Sequence, residues 1–161
     1  MSRNMLYLLL SLQVVCAVAV ADGIEEGMNE SKDAGLSSNA SLLMSGWDSF
    51  VENLNYSSDV LNQTVHGGMT YEDAMVLMTT IFILNSQALV EVEKLDPGER
   101  YLDFKNCTVN AMRSFNGYLL NMAKFFETKN IRYVMAARDR FNTTQEYYLK
   151  GSHEAELISG V

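Results

Sequence analysis

Apolar residues recur at spacings of three and four along the chain after residue 40, and this pattern predicts four α-helices. We predict that the first helix spans about 41–65 and ends before Gly67 and Gly68, because glycine adopts the positive φ of a helix C-terminus without strain. Its predicted core positions are Leu43, Trp47, Phe50, Leu54, Leu61 and Val65.

The second helix is predicted to begin after Thr70, with Asp73 at the position where a capping box places an acid. Residues 74–84 are apolar on all sides, which is typical of the most buried helix of a bundle. The apolar run stops after 11 residues at the polar stretch 85–87, so a membrane span is not expected. A strand over 79–84 is an alternative that the flanking helical pattern disfavours.

The third helix is predicted to start at Asp96 and Pro97, since Asp96 can cap and Pro97 suits the first helical position, and to end near Lys129. Its apolar residues form two neighbouring stripes, so it is expected to contact two other helices. The main stripe is Tyr101, Phe104, Thr108, Ala111, Phe115, Tyr118, Met122 and Phe125. The second stripe is Leu102, Val109, Met112, Leu119 and Phe126.

The fourth helix is predicted over about 131–150, with Gly151 as its end. Its predicted core positions are Val134, Ala137, Phe141 and Tyr148. Four helices with short connections predict an all-α fold, an antiparallel up-down four-helix bundle. The predicted divisions of the chain are a signal peptide (1–21), a disordered acidic leader (22–40), the four-helix bundle domain (41–151) and a flexible C-terminal tail (152–161).

The N-terminal segment has the order of regions of a secretory signal peptide: a basic start at Arg3, an apolar run over 5–20, and small residues before the cut. Ala19 and Ala21 fit the cleavage rule, so we predict cleavage between Ala21 and Asp22. Cleavage after Ala19 is an alternative. Retention as an anchor is another, although the apolar run is shorter than the roughly 20 residues that a spanning helix needs.

Cysteine usage predicts a fold without an internal disulfide. Cys16 lies in the signal segment, and the bulky Val15 before it does not suit the lipidation signal of a bacterial lipoprotein. After cleavage Cys107 is the one cysteine left, and it is either a buried apolar residue or part of an intermolecular disulfide. The exported chain must therefore be stabilised by its core, for which it is long enough.

Six Asn-x-Ser/Thr triplets without proline occur in the chain, more than its composition predicts by chance. An exported chain presents such asparagines for N-glycosylation. The predicted sites are Asn29, Asn39, Asn55, Asn62, Asn106 and Asn142. Accidental triplets in a chain rich in Asn and Ser are the alternative. Asn55 and Asn62 each follow a predicted core residue, so we expect them to flank the core.

Charge divides the chain into an acidic and a basic half. The formal net charge of −8 excludes a strongly basic nucleic-acid binder. Residues 22–99 carry a net charge of −12 and residues 100–161 carry +3. One interpretation is that acidic and basic helices neutralise each other. The alternative is a partner face in the sequon-free stretch 118–141. That face comprises Lys124, Lys129, Arg132, Arg138 and Arg140.

No catalytic motif is recognised in the sequence. His66 and His153 stand outside any Glu-x-x-His pattern, so no metal site is predicted. Cys107 has no nearby histidine that would activate it. Glu91 and Glu93 are two residues apart, a spacing that does not face one site on a helix. We therefore predict a protein without enzymatic activity, cofactor or metal.

The sequence predicts a secreted or cell-surface, N-glycosylated helical-bundle protein that works by binding. Its expected partner is a protein or a cell-surface component and not a nucleic acid. No membrane span is expected after cleavage of the signal peptide. A homo-oligomer is compatible with the sequence pattern. The alternative is an exported carrier or sensor that binds a small apolar ligand between the helices, in a cavity lined by aromatic and methionine side chains.

Overall fold

A computed structural model describes residues 38–160, which form four α-helices and one 3-10 turn. The elements are α1 (Ser38–Val65), α2 (Tyr71–Lys94), the 3-10 turn (Glu99–Tyr101), α3 (Leu102–Thr128) and α4 (Ile131–Ser159). No strand occurs among these described residues, so the predicted all-α class is confirmed and the strand over 79–84 is wrong. The predicted signal peptide, its cleavage site and the leader up to residue 37 lie outside the described residues.

The boundary between α1 and α2 follows the chemistry that the sequence predicts. Gly67 takes a φ of 77° after α1, and the Gly68 N–H donates to the Gln63 carbonyl at 2.8 Å. Thr70 caps α2, since its Oγ1 accepts from the Asp73 N–H at 3.1 Å. The same hydroxyl donates to the Asp73 carboxylate at 2.6 Å. The predicted capping pair of Thr70 and Asp73 is therefore confirmed.

The start of α3 differs from the prediction. Asp96 and Pro97 lie before the helix, because Gly98 takes a φ of 88° that no helix can continue. The chain then makes the 3-10 turn, and α3 begins at Leu102. As a result Leu102 is 50% exposed instead of lying in the second stripe. The other members of both stripes are buried, apart from the half-buried Tyr101.

The end of α4 also differs. The predicted end at Gly151 is wrong, because α4 continues to Ser159 and residues 152–159 of the predicted tail are helical. Gly151 is buried in the helix interior, where a Cβ atom would lie 2.6 Å from the Trp47 indole. The glycine that ends α4 is Gly160, with a φ of 71°. Gly151 thus permits close packing of α4 against α1 and does not terminate a helix.

The start of α1 lies three residues before the predicted position. Ser38, Asn39 and Ala40 belong to the helix and not to the predicted leader. Ala40 is fully buried, and the Asn39 side-chain amide donates to the Asp96 carbonyl at 2.9 Å. These contacts give the first turn of α1 the tertiary support that a segment of small polar residues lacks on its own.

The most buried helix is α3, not α2. Of the 27 residues of α3, 12 are buried, compared with 6 of the 24 residues of α2. The prediction that α2 is the most buried helix is therefore wrong. The reason is position: α3 packs against α1, α2 and α4, whereas α2 packs mainly against α1 and α3, and its outer side meets solvent.

A row of aromatic side chains follows α3 through the core. Phe115, at its middle, is fully buried, and its ring centroid lies 5.7 Å from that of Phe50 and 5.8 Å from that of Tyr118. The row continues through Trp47, Phe104 and Tyr148 at one end and through Phe141, Tyr71, Phe125 and Phe126 at the other. These rings pack against one another at the distances of favourable aromatic pairs.

Candidate functional site

The outer face of α2 is apolar and open to solvent. We define this face by Val76, Thr80, Ile83, Gln87 and Val90, which recur at spacings of four and three and so share one side of the helix. Val76, Ile83 and Val90 are 53%, 49% and 47% exposed. Three half-exposed β-branched side chains at intervals of seven residues therefore line the side of α2 that faces away from the bundle.

A shallow open groove lies beside the C-terminal half of this face, and all of its lining residues belong to α2. Its apolar lining is Phe82, Ile83, Leu84, Ala88 and Val90. The helix carries no charged residue between Asp73 and Glu91. A contiguous apolar surface of this kind, with charges only at its ends, is typical of a binding site.

By length and composition alone, α2 is apolar enough to cross a membrane. Over 18 residues this helix has a mean hydropathy of 1.6. From the sequence we expect the polar stretch 85–87 to leave an apolar run too short to span a membrane, but the apolar segment continues past it. A soluble core helix of this composition is mostly buried, but only 22% of this segment is buried inside this fold. The apolar residues of α2 therefore lie on its outer side as well as on the side that faces the core.

The inner face of α2 carries a buried polar cluster. Asn85 is fully buried, and its Nδ2 donates to the Met112 carbonyl at 3.0 Å and to Asn116 Oδ1 at 2.8 Å. Asn116 Nδ2 in turn donates to Ser86 Oγ at 3.1 Å. The Asn85 Oδ1 atom is buried without a hydrogen-bond partner. This cluster ties the inner side of α2 to α3.

The five cations of the predicted partner face are all exposed, on α3, α4 and the connection between them. The Lys124 ammonium lies 5.8 Å from the centre of the Tyr133 ring, and Arg138 pairs with Asp139 at 3.4 Å. Arg132 and Arg138 are six residues apart, which places them about 120° from each other around α4. The fold therefore places Arg132 and Arg138 on different sides of α4, and docking at this basic face stays an untested alternative to docking on α2.

The sequon asparagines differ in exposure. Those that are exposed are Asn62, Asn106 and Asn142. Asn39 and Asn55 are half-buried, and the Asn55 Oδ1 atom is buried without a partner; Asn29 lies outside the described residues. No sequon lies on α2, because the stretch 65–105 is free of them. It is longer than the sequon-free stretch 109–141 that contains the predicted basic face.

The Cys107 thiol is a poor nucleophile in this environment. It is half-buried against Gly151, and burial, followed by the negative charge of Glu154, raises its pKa. A raised pKa lowers the thiolate fraction at neutral pH. The side chain thus behaves as the small packing residue that the sequence predicts as one of two options, and an intermolecular disulfide stays a prediction.

Histidines and carboxylates do not gather into a catalytic or metal site in the part of the chain that the structure describes. There, no group of three His, Cys, Asp or Glu side chains lies close enough to hold a metal ion. Glu91 pairs with Lys94 at 2.9 Å, and Glu93 pairs with Arg113 of α3, also at 2.9 Å. The two carboxylates thus face different neighbours, as their spacing predicts.

No family model, curated protein or solved structure matches this chain. The candidate site therefore depends on the geometry of α2. The sequence pattern assigns residues 74–84 to the core because they are apolar on all sides, and it therefore does not predict the exposed outer face of α2. Two signals in the sequence point to it: Val76, Ile83 and Val90 lie on the opposite side of the helix from the polar Asn85, and 65–105 lacks sequons.

Proposed function

We propose that this chain is an exported, non-enzymatic binding protein whose helices form an antiparallel up-down bundle and whose partner docks on the outer face of α2. One observation carries the proposal. Only 22% of the apolar 18-residue segment of α2 is buried, even though the inner side of this helix packs against α3. Covering this face in a complex would stabilise the complex by about 25 cal/mol for each Å² of apolar surface removed from water.

The up-down arrangement is supported by contacts at both ends of the bundle. At one end, Asn39 in the first turn of α1 bonds to the Asp96 carbonyl after α2, and the Arg100 guanidinium before α3 donates to the Ile158 carbonyl at 2.6 Å. At the other end, Tyr71 in the first turn of α2 packs against Phe125 and Phe126 in the last turn of α3. These are the contacts expected when successive helices run in opposite directions.

Export and N-glycosylation are supported by the order of regions at the N-terminus and by the exposure of Asn62, Asn106 and Asn142. Glycans at these three positions would cover parts of α1, α3 and α4 and leave α2 open. A ligand site between the helices has less support, because the described groove lies on the outer surface and the aromatic row packs ring against ring.

Export is tested by expressing the full chain in a eukaryotic secretory cell and measuring the intact mass of the product in the medium. We expect an N-terminus at Asp22 and a loss of mass on treatment with an N-glycosidase. A product that stays membrane-bound with Met1 in place, or a secreted product without glycans, would contradict the corresponding part of the proposal.

The binding face is tested with the secreted chain, labelled and applied to cells of the source organism. The variant Val76→Ser/Ile83→Ser/Val90→Ser is expected to lose at least about tenfold in apparent affinity, since buried apolar anchors dominate such interfaces. The control is Leu149→Ser/Leu157→Ser on α4, because these two leucines are at least as exposed as the three substituted residues of α2. Equal binding by the variant and the control would refute the α2 face.

The predicted basic face is tested in the same assay with Arg132→Glu/Arg138→Glu. This variant is expected to bind like the wild type and to melt at nearly the same temperature, because exposed charges contribute little to stability. If it loses binding while the α2 variant keeps it, the partner docks at the end of α3 and the start of α4 instead.

A further inference from the structure

We propose that the partner of the outer face of α2 is a second copy of this chain, docked antiparallel across a two-fold axis at Ile83. This inference rests on the proposed binding function and names the partner. Three observations carry it: valines stand at equal distances on either side of Ile83, Glu72 and Lys94 at the two ends of the face are complementary in charge, and the area of the face suits a reversible dimer.

The apolar positions of the outer face are symmetric about Ile83. Val76 and Val90 stand seven residues on either side, so in an antiparallel pair each Val76 meets Val90 of the other copy. At four residues on either side stand Thr79 and Gln87, two exposed and uncharged polar side chains. Ile83 meets its own copy on the axis. A two-fold interface needs such a self-complementary patch, because each residue must accept its counterpart twice.

The charges at the two ends of α2 complement each other in this register. Glu72 and Lys94 lie 11 residues on either side of Ile83, so each Lys94 of one copy approaches Glu72 of the other. Lys94 is free to shift, because its pair with Glu91 is exposed and such pairs are weak. The same register places Asp73 opposite Glu93, and the ion pair of Glu93 with Arg113 of its own chain at 2.9 Å reduces that repulsion. A parallel arrangement would instead place Glu72 beside Glu72 and Lys94 beside Lys94.

The acidic ends also distinguish a second copy from a lipid surface. Helices that lie on membranes carry Lys and Arg beside their apolar face. The apolar face of α2 is bordered by Glu72, Asp73 and Glu91, with Lys94 as its single cation. These carboxylates would be repelled by anionic headgroups. The apolar segment 5–20 is a less suitable occupant, because it is the segment predicted to be removed on export.

The area of the face predicts a reversible dimer. A helix of 24 residues is about 36 Å long and about 10 Å wide. Each copy therefore offers on the order of 400 Å² from α2 alone, about half of what one partner contributes to a standard interface of about 1,600 Å² in total. We expect a dimer that dissociates at micromolar concentrations, and not an obligate one.

The dimer is tested by sedimentation velocity over a concentration series, with the product that cells secrete after expressing the full chain. The wild type is expected to show a monomer–dimer equilibrium, and Ile83→Glu to weaken it at least about tenfold, because two carboxylates would meet on the axis. The control is Leu149→Glu on α4, which introduces the same charge at an exposed leucine and should leave the equilibrium unchanged. A wild type that stays monomeric at hundreds of micromolar, or a dimer unaffected by Ile83→Glu, would overturn the proposal.

Cysteine cross-linking tests the register, in a background with Cys16→Ser and Cys107→Ser. Under mild oxidation Ile83→Cys should cross-link by itself. Val76→Cys and Val90→Cys should each stay monomeric alone but cross-link when mixed, whereas a parallel dimer would cross-link each of them alone. Cross-linking of Val76→Cys alone, or the absence of cross-links in the mixture, overturns the antiparallel register.

Liposome flotation separates failure of this inference from failure of the proposed function. If vesicles of neutral and anionic lipid bind the wild type and not Ile83→Glu, the occupant is a membrane and the second-copy proposal is wrong, but the binding role of α2 stands. If the chain neither dimerises nor loses binding to cells or vesicles on Ile83→Glu, both proposals fail.

Discussion

The two helices α2 and α3 show that the most apolar sequence need not be the most buried one. The uncharged stretch of α2 is apolar on every side, yet a quarter of the helix is buried. The helix α3 carries charged residues at Asp103, Lys105, Arg113, Lys124 and Glu127, yet nearly half of it is buried. The number of neighbouring helices explains the difference: α3 lies between three, whereas one side of α2 has none.

Periodicity and hydrophobicity therefore carry different information. On α3, the polar residues separate two apolar stripes, and these stripes indicate which sides of the helix pack against other helices. On α2, uniform hydrophobicity leaves the direction unspecified, and Asn85 is the one polar residue among the six that are buried on its inner side. Four of the large apolar residues of α2 are exposed, Val76, Ile83, Leu84 and Val90, and this is the reason for our proposal that a partner covers this surface.

The largest expected effect is the loss of a ring at the centre of α3. Phe115→Ala should lower the free energy of unfolding by about 3–5 kcal/mol, because Phe115 is fully buried against Phe50 and Tyr118. Ile83→Ala on α2 should lower it by less than about 1 kcal/mol. Denaturant titration of both variants measures the difference. Equal losses would show that the outer side of α2 is packed in solution and would break the comparison.

The next effect concerns the buried polar contact between α2 and α3. Asn85→Ala removes its bonds to Met112 and Asn116 of α3 and should cost about 1–3 kcal/mol. A double-mutant cycle with Asn116→Ala should give a coupling energy of about 0.5–1.5 kcal/mol, since the two side chains bond directly. Additive losses within about 0.3 kcal/mol would mean that the amide pair does not set the orientation of α2.

Much of the fold follows from the sequence because amphipathic repeats report tertiary contacts. The core residues assigned on the first, third and fourth helices are nearly all buried, and the predicted capping pair of Thr70 and Asp73 is found at the start of α2. The errors arise where one residue type serves two purposes. Gly151 reads as a helix end, but the Trp47 ring requires a residue without a side chain there.

The candidate site is less predictable, because an exposed apolar face and a buried one have the same composition. Val76 and Ile81 are similar residues on the same helix, yet Val76 is 53% exposed and Ile81 is fully buried. What separates them is which side α3 occupies. That side includes the contact of Asn85 with Asn116, residues 31 positions apart whose pairing no local pattern encodes.

Polar substitutions on the two sides of α2 sharpen the comparison within one helix. Ile83→Ser/Leu84→Ser on the outer side should change the free energy of unfolding by less than about 0.5 kcal/mol per residue at protein concentrations too low for association. The matched variant Ile81→Ser on the inner side should cost several times more, since it places a hydroxyl in a fully buried position. Comparable losses would place both sides in the core.

The smallest effect is visible only in alkali, at the contact between the first turn of α2 and the last turn of α3. Burial against Phe125 and Phe126 raises the pKa of Tyr71 above its ordinary value of 10.0. The folded chain then holds this proton more tightly than the unfolded chain, so its contribution to stability is full below about pH 10 and is lost as the pH rises further.

Tyr71→Phe removes this dependence of stability on pH. The difference in free energy of unfolding between variant and wild type should therefore be constant from about pH 7 to 9 and shift in favour of the variant above about pH 10. Denaturant melts across this range measure it, with Tyr56→Phe, at a half-exposed tyrosine of α1, as the matched substitution. A difference that stays constant through the whole range would mean that Tyr71 is solvated and that α2 is detached from α3 at this end.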